Sequence, residues 1–366
     1  MRLFIFIFTI IVSALYRMSI KGRILKQNNS AEDTNATSFS EKVSVIIPAR
    51  NEERNIAKIL SSLVVQSVQL HEIIVVNDNS TDNTAEIVKD YSLRFKNVKL
   101  INLKDEPPSG WVGKSWAIWN GVQGSTGDVL IFFDADVEPG IDAVQVLLTL
   151  RSLNGGLISV WPYQRFEKVY EHLGMVSNFM AIYASNNFEF LKMKPSGAFG
   201  PVIVTSRQDY ERTGGHEAIK DSVLEDIKLG RLYLKHGIPV KNYLGGDIIK
   251  FRMYPEGLKQ LFEGFTKNMS AGAITGGLFT FLIAFLWMAG MYSSVVYLFN
   301  VEGLWKYFVL AVIVYILSKP TGDYRWYDAI FYPIHFFFFL IVFLASLYKT
   351  LFIRRVKWRG REVSVK

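Results

Sequence analysis

The sequence predicts an α/β domain built on a largely parallel sheet, with apolar membrane segments at both ends. Three observations predict it. Between Lys42 and Tyr254, near-continuous β-branched and aliphatic runs alternate with helical patterns. Runs of that kind suit strands covered on both faces, as in parallel sheets. Uncharged apolar stretches lie before and after this region, and the 366 residues are enough for one large domain or two smaller ones. The chain contains no cysteine, which excludes disulfides, thiolate metal sites and a cysteine nucleophile.

Leu3–Tyr16, LFIFIFTIIVSALY, carries no charge and is followed by Arg17, Lys21, Arg23 and Lys26. It is short against the ~20 residues of a full span. With no small-residue cleavage site, residues 1–27 read as a membrane anchor rather than a cleaved signal. The basic flank places the following chain in the cytoplasm. Residues 28–41 are polar and read as a linker.

A catalytic domain is expected over residues 42–250. VSVIIP (Val43–Pro48), EIIVVND (Glu72–Asp78), VKLINL (Val98–Leu103) and DVLIFFDAD (Asp128–Asp136) are its strand candidates. Helical patterns such as Glu52–Gln66 and Asp82–Tyr91 separate them. In such sheets ligands sit beyond the carboxyl ends of the strands, which singles out Glu52, Asp78, Asp134 and Asp136. Residues 251–272 read either as an interfacial amphipathic helix or as a surface helix of the domain.

Residues 273–348 form the expected transmembrane region. Ala273–Phe299 and Ala329–Leu347 are uncharged and long enough to span, whereas Tyr307–Ser318 is apolar for only a dozen residues. If that middle segment spans, the chain ends outside; if it is re-entrant, the tail returns to the cytoplasm. The tail, residues 349–366, has seven basic residues and one acidic, so it holds +6 of the chain's net +8. Its charge and the short middle segment both favour the cytoplasmic side, where basic residues touch anionic headgroups. Nucleic acid is not the expected partner, because no nucleic-acid motif accompanies the charge.

Several motifs carry chemistry. Gly-Lys-Ser in GWVGKSWA (Gly110–Ala117) evokes a P-loop, but the position five residues before Gly113 is Pro108, which has no N–H for a phosphate. Lys114 is left as a cation about 20 residues before Asp-Ala-Asp. Asp134 and Asp136 at a strand end would lie on one side, and beside a diphosphate they would call for Mg²⁺ or Mn²⁺. PARNEE (Pro48–Glu53) closes the first strand and NDNSTD (Asn77–Asp82) the second. Asp78 can accept hydrogen bonds from a base or ribose, and Ser80, Thr81 and Asp82 equally suit a helix start. LED (Leu224–Asp226) opens a later helix.

In this order these motifs resemble the family-2 glycosyltransferases with a GT-A fold, over about Lys42 to Ala273. The resemblance implies that Ala49, Glu52 and Asp78 bind the nucleotide donor, Glu52 and Asp78 at its uridine. It further implies that Lys114 contacts the diphosphate, Asp134 assists the nucleotide and Asp136 holds the metal. Asp226, with Glu225 beside it, would be the catalytic base. Relatives carry Gln-x-x-Arg-Trp on the interfacial helix; here EGFTKN (Glu263–Asn268) stands there, with Lys267 as the cation.

A narrower resemblance, in GKSWA, FDADV, SVWPYQ, AFGPVIVT, TGGHEA, FRMYPEG, EGFTK and WRGREV, is to the carotenoid-acid glycosyltransferases within that family. It implies transfer of glucose from UDP-glucose to the carboxyl group of a C30 carotenoid acid, in staphyloxanthin-type synthesis. The setting would be the bacterial cell membrane, multi-pass, with membrane lipids and other carotenoid-pathway enzymes as partners. The alternatives are another lipid acceptor (a hydroxylated lipid, diacylglycerol or polyprenyl phosphate) and a non-catalytic UDP-sugar-binding protein. A carboxylic acceptor is already ionised near pH 7. It would therefore repel Asp226 unless the metal or a cation such as His216 or Arg252 intervened.

Overall fold

The structure is a computed structural model and describes residues 2–26, 40–185, 194–275, 277–296, 301–353, 355–358 and 361–364. Two compact units divide the chain. The first to consider takes Leu25–Pro162 and Gly197–Phe251; the second takes Met1–Ile24, Tyr163–Ser196 and Arg252–Lys366.

The sheet unit follows from its apolar runs. Strands β1 (Val43–Ala49), β2 (Glu72–Asp78), β3 (Val98–Leu103) and β4 (Val129–Phe133) are the expected ones. Every residue of β2 and β4 is buried, which is why these runs lack a polar alternation. Short β5 (Val137–Pro139) follows, then β6 (Leu157–Trp161), β8 (Val202–Ser206), β9 (Val240–Leu244) and β10 (Ile249–Phe251), while β7 (Tyr163–Gln164) falls in the helical unit. The seven-stranded sheet runs β3-β2-β1-β4-β8-β6-β9. β1 lies parallel to β2 and β4, and β2 to β3, while β8 is antiparallel to both β4 and β6. The sheet is therefore mixed, with β6, β8 and β9 added on the far side of β4. Strand order reverses between β1 and β4, so the crevice beyond their carboxyl ends is the place for a ligand.

The helix Gly113–Gln123 packs on this sheet through a glycine. A Cβ at Gly121 would stand 2.5 Å from Ile46 Cγ2 and 3.0 Å from Val76 Cγ2, both in buried strand side chains. Gly121→Ala is expected to lift the helix and cost about 1–3 kcal/mol, read as a lower denaturant midpoint at unchanged slope. An unchanged midpoint would contradict this packing.

Among the described residues of the helical unit, two helices are long and apolar enough to cross a membrane: Leu3–Lys21, 19 residues with mean hydropathy 2.1, and Tyr332–Phe352, 21 residues with mean hydropathy 1.9. The first continues past Arg17, where counting uncharged residues stops, because a basic side chain does not break a helix. Val301–Ser318 is likewise 18 residues long, more than the apolar dozen at its end, since it takes in Lys306 and its neighbours. Within the unit Trp287 donates to Ser13 at 2.8 Å, and Tyr307 stacks on Tyr332 at 5.1 Å. The basic tail folds in part, with Arg355–Trp358 antiparallel to Arg361–Ser364.

Candidate active site

The loops leaving β1 and β2 are fastened to each other. Asn51 and Asn79 both adopt left-handed backbone (φ 54° and 51°), a conformation asparagine tolerates. The Asn51 N–H donates to Ser80 Oγ at 3.0 Å, and its side-chain oxygen accepts from the Thr81 N–H at 2.8 Å. The Glu52 N–H donates to Thr84 Oγ1 at 2.8 Å, and the Glu53 N–H to Asp82 at 3.0 Å. Asp82 also accepts from the Thr84 N–H, so it serves the helix start that the sequence suggested. Arg50 Nη1 donates to the Asp78 carbonyl at 2.9 Å. These bonds hold Ala49, Glu52 and Asp78 buried at the carboxyl edge of β1 and β2.

Lys114 enters the neighbouring cleft from the second position of the helix Gly113–Gln123. Its ammonium lies 2.7 Å from Asp134 and 3.0 Å from Glu225, with its side chain about a third exposed. Burial opposes its charge, but Asp134 and Glu225 outweigh that and hold it protonated far above neutrality. Phe132, Gly200, His216 and Asp226 join these residues in lining the cleft. Glu225 and Asp226 start the helix Glu225–Lys235, where the free N–H groups favour carboxylates.

Asp226 is pushed up to about 7, first by burial, then by the charge of Glu225, against the pull of Lys114. Its Oδ1 accepts from the Ile227 N–H at 2.8 Å. Its Oδ2 faces Gly200, where a Cβ would stand only 2.7 Å away. Gly200 was not singled out in the sequence; its signal is its place in AFGPVIVT, just before β8.

His216 lines the cleft as a neutral group, and the positive charge expected of it is corrected here. Burial pushes it down to about 4, with Lys114 adding to the effect and Glu225 opposing it. Tyr210 Oη accepts from the His216 backbone N–H at 3.0 Å and lies 3.0 Å from Nδ1.

Asp134 and Asp136 occupy the turn between β4 and β5 rather than a strand, so strand alternation does not orient them. The Asp134 N–H donates to the Pro201 carbonyl at 2.9 Å. Asp134 is engaged by Lys114, and Asp136 is half-buried two residues on. Among the described residues no group of three or more His, Cys, Asp or Glu side chains is placed to hold a metal. Mg²⁺ and Mn²⁺ at phosphate sites take few protein ligands, with substrate oxygens and water completing the shell. A single partly exposed carboxylate at Asp136 fits that donor set.

Arg252 and Lys267 belong to the helical unit. The Arg252 guanidinium grips the buried Glu171 at 2.6 Å and Glu167 at 2.6 Å, which accounts for its charge. The sequence did not reveal the tryptophan group around the start of the Lys114 helix, where Trp116 stacks on Trp119 at 5.3 Å and Trp111, just before the helix, meets Trp116 at 5.1 Å.

Comparison with known proteins agrees with this architecture. The model of the family described as Glycosyl transferase family 2 matches residues 44–206. The chain is 34% identical to 4,4'-diaponeurosporenoate glycosyltransferase of Staphylococcus haemolyticus, covering 89% of this chain and 90% of that protein. It is 32% identical to the protein of the same name from Staphylococcus aureus strain N315, covering 97% of each. Among solved structures it is similar in fold to a mannosyltransferase from Pyrobaculum calidifontis in complex with GDP-Man and Mn²⁺. That match has a TM-score of 0.54 at 15% identity and covers 96% of this chain and 99% of the other.

Proposed function

The chain belongs to glycosyltransferase family 2, and from that premise we propose that it moves glucose from UDP-glucose to the carboxyl group of 4,4'-diaponeurosporenoate. The observation that carries the acceptor is the similarity along nearly the whole chain, apolar helices included, to proteins of that name. The apolar helices suit an acceptor dissolved in a bilayer. On this reading the protein is a multi-pass protein of the bacterial cell membrane with its sheet unit in the cytoplasm, where UDP-sugars are.

The residue roles proposed are those the family resemblance implies, and the geometry above supports them. Glu52 and Asp78, fixed by the fastened loops, receive the uridine with the Ala49 backbone. Lys114 faces the diphosphate and offsets charge as the sugar leaves. Asp134 holds Lys114 in place, and Asp136 would hold Mg²⁺ or Mn²⁺. That ion, when bound, acts as a Lewis acid on the diphosphate. The acceptor oxygen attacks the anomeric carbon in line with the departing UDP, so configuration inverts.

Donor choice is tested by competition on membranes containing the protein. Unlabelled UDP-glucose is expected to abolish transfer from labelled UDP-glucose, with GDP-mannose without effect. Equal competition by GDP-mannose would refute the uridine assignment.

A further inference from the structure

Contacts inside the helical unit fix the direction in which each of its helices runs. In the helix Arg2–Lys21, Ser13 accepts from Trp287 and Thr9 lies against Gly290, so the helix Leu278–Val296 runs antiparallel to it. The helix Val301–Ser318 runs the same way as Arg2–Lys21. At one end Trp305 meets Phe6 at 5.3 Å, and at the other Leu317 lines a cavity with Val12 and Tyr16. Ser318 therefore lies on the Lys21 side of the unit. That is the side from which the chain goes on, by way of Ile24, to the sheet unit.

From Ser318 the chain turns back inward. The Gln164 N–H donates to the Thr321 carbonyl at 3.0 Å, the Asp323 N–H donates to the Gln164 carbonyl at 2.9 Å, and Asn178 donates to Tyr324 Oη at 2.8 Å. Asp328 accepts from the Arg325 N–H at 2.7 Å and lies 2.8 Å from His172 Nδ1. By Tyr332 the chain is deep in the unit. The Tyr332 ring stacks on Tyr307 at 5.1 Å and its hydroxyl donates to the Met291 carbonyl at 3.3 Å, while the Tyr307 hydroxyl donates to the Ile330 carbonyl. From Tyr307 to Ser318 the helix rises about 17 Å at 1.5 Å per residue. The helix that starts at Tyr332 then climbs the same distance again. Phe336 meets Trp287 at 5.6 Å, and Val342 packs with Leu261 and Phe265, which precede the antiparallel helix Leu278–Val296.

We propose that residues 319–352 form a re-entrant hairpin, which enters the bilayer from the Lys21 side, turns at Ile330–Tyr332 inside it and returns to the same side. This rests on the reading of the protein as membrane-spanning. A dip of about 17 Å falls well short of the ~30 Å hydrocarbon core. The turn is apolar: residues 329–348 contain no Asp, Glu, Lys or Arg, and Phe331, Ile334 and Phe337 are exposed, a face for lipid. A turn in water beyond the far headgroups would be polar instead. Non-helical backbone at membrane depth must be covered by protein, and here Tyr324, Asp328 and Tyr332 are buried and hydrogen-bonded. The middle apolar segment thus crosses and the last does not, although the last is long enough to do so. The tail, with +6 of the chain's charge, then returns to the leaflet facing the sheet unit's compartment, as a surface for acidic phospholipid headgroups.

The chain has no cysteine, so single introduced cysteines report sidedness directly. The full chain would carry Lys96→Cys in the sheet unit, Glu302→Cys at the start of the helix Val301–Ser318, Lys319→Cys just past its end, Phe331→Cys at the turn or Ser364→Cys in the tail. Each variant would be treated with a membrane-impermeant maleimide in intact bacterial cells and in inverted membrane vesicles, with detergent-denatured protein as the control for a reactive thiol. Lys319→Cys and Ser364→Cys are expected to react on the same face as Lys96→Cys, Glu302→Cys on the opposite face, and Phe331→Cys on neither until detergent is added. Reaction of Ser364→Cys on the Glu302 face would make Tyr332–Phe352 a crossing and overturn the proposal. Reaction of Phe331→Cys on that face would put the turn in water and overturn it equally. Reaction of Glu302→Cys on the same face as Lys96→Cys is a different failure, that of the membrane-spanning reading itself.

Discussion

Replacing Lys114 by alanine is expected to lower kcat by ~10²–10³, the usual effect of removing one preorganised group that stabilises developing negative charge. The substitution also leaves Asp134 and Glu225 facing each other with their shared cation gone. Lys114→Arg should recover little. The ammonium sits between carboxylates at 2.7 and 3.0 Å, and a planar guanidinium cannot occupy that point without moving them. Transfer from labelled UDP-glucose at saturation measures the effect, with circular dichroism checking that the sheet survives. Turnover within threefold of wild type would remove Lys114 from the diphosphate.

Chelation or removal of Asp136 is the second large effect. Lewis-acid assistance to the leaving diphosphate is worth several kcal/mol, so Asp136→Ala should reduce turnover by roughly 10³ or more. EDTA should silence the wild type, and added Mn²⁺ or Mg²⁺ should restore it. Circular dichroism of the Asp136→Ala protein checks that the sheet survives the substitution. Metal-dependent turnover by Asp136→Ala at the wild-type rate would refute the assignment.

The strands that carry the site were readable because burial on both faces writes itself as an uninterrupted apolar run. β1, β2 and β4 are such runs, and the polar residues closing them mark the crevice. Less visible was anything set by the packing of distant segments. Gly200 takes its meaning from Asp226, 26 positions away, and no local pattern announces that approach. The neutrality of His216 comes from burial beside Tyr210, and the engagement of Arg252 from Glu171, which is 81 residues distant. Helix length was misjudged where charge was taken as a boundary, at Arg17 and before Tyr307. The Asp134–Asp136 pair was found by its spacing, but its turn geometry depends on the neighbouring Pro201 carbonyl.

The central claim, glucose transferred to a carboxyl group, is tested most directly by the bond in the product. Membranes containing the protein would be given labelled UDP-glucose with 4,4'-diaponeurosporenoate and a panel of hydroxylated lipids. The lipid extract would then be treated with mild alkali. Label in the carotenoid that alkali releases is the ester this account predicts. Label found only in alkali-stable glycolipid would contradict it, because the acceptor would then be an alcohol and Asp226 its base.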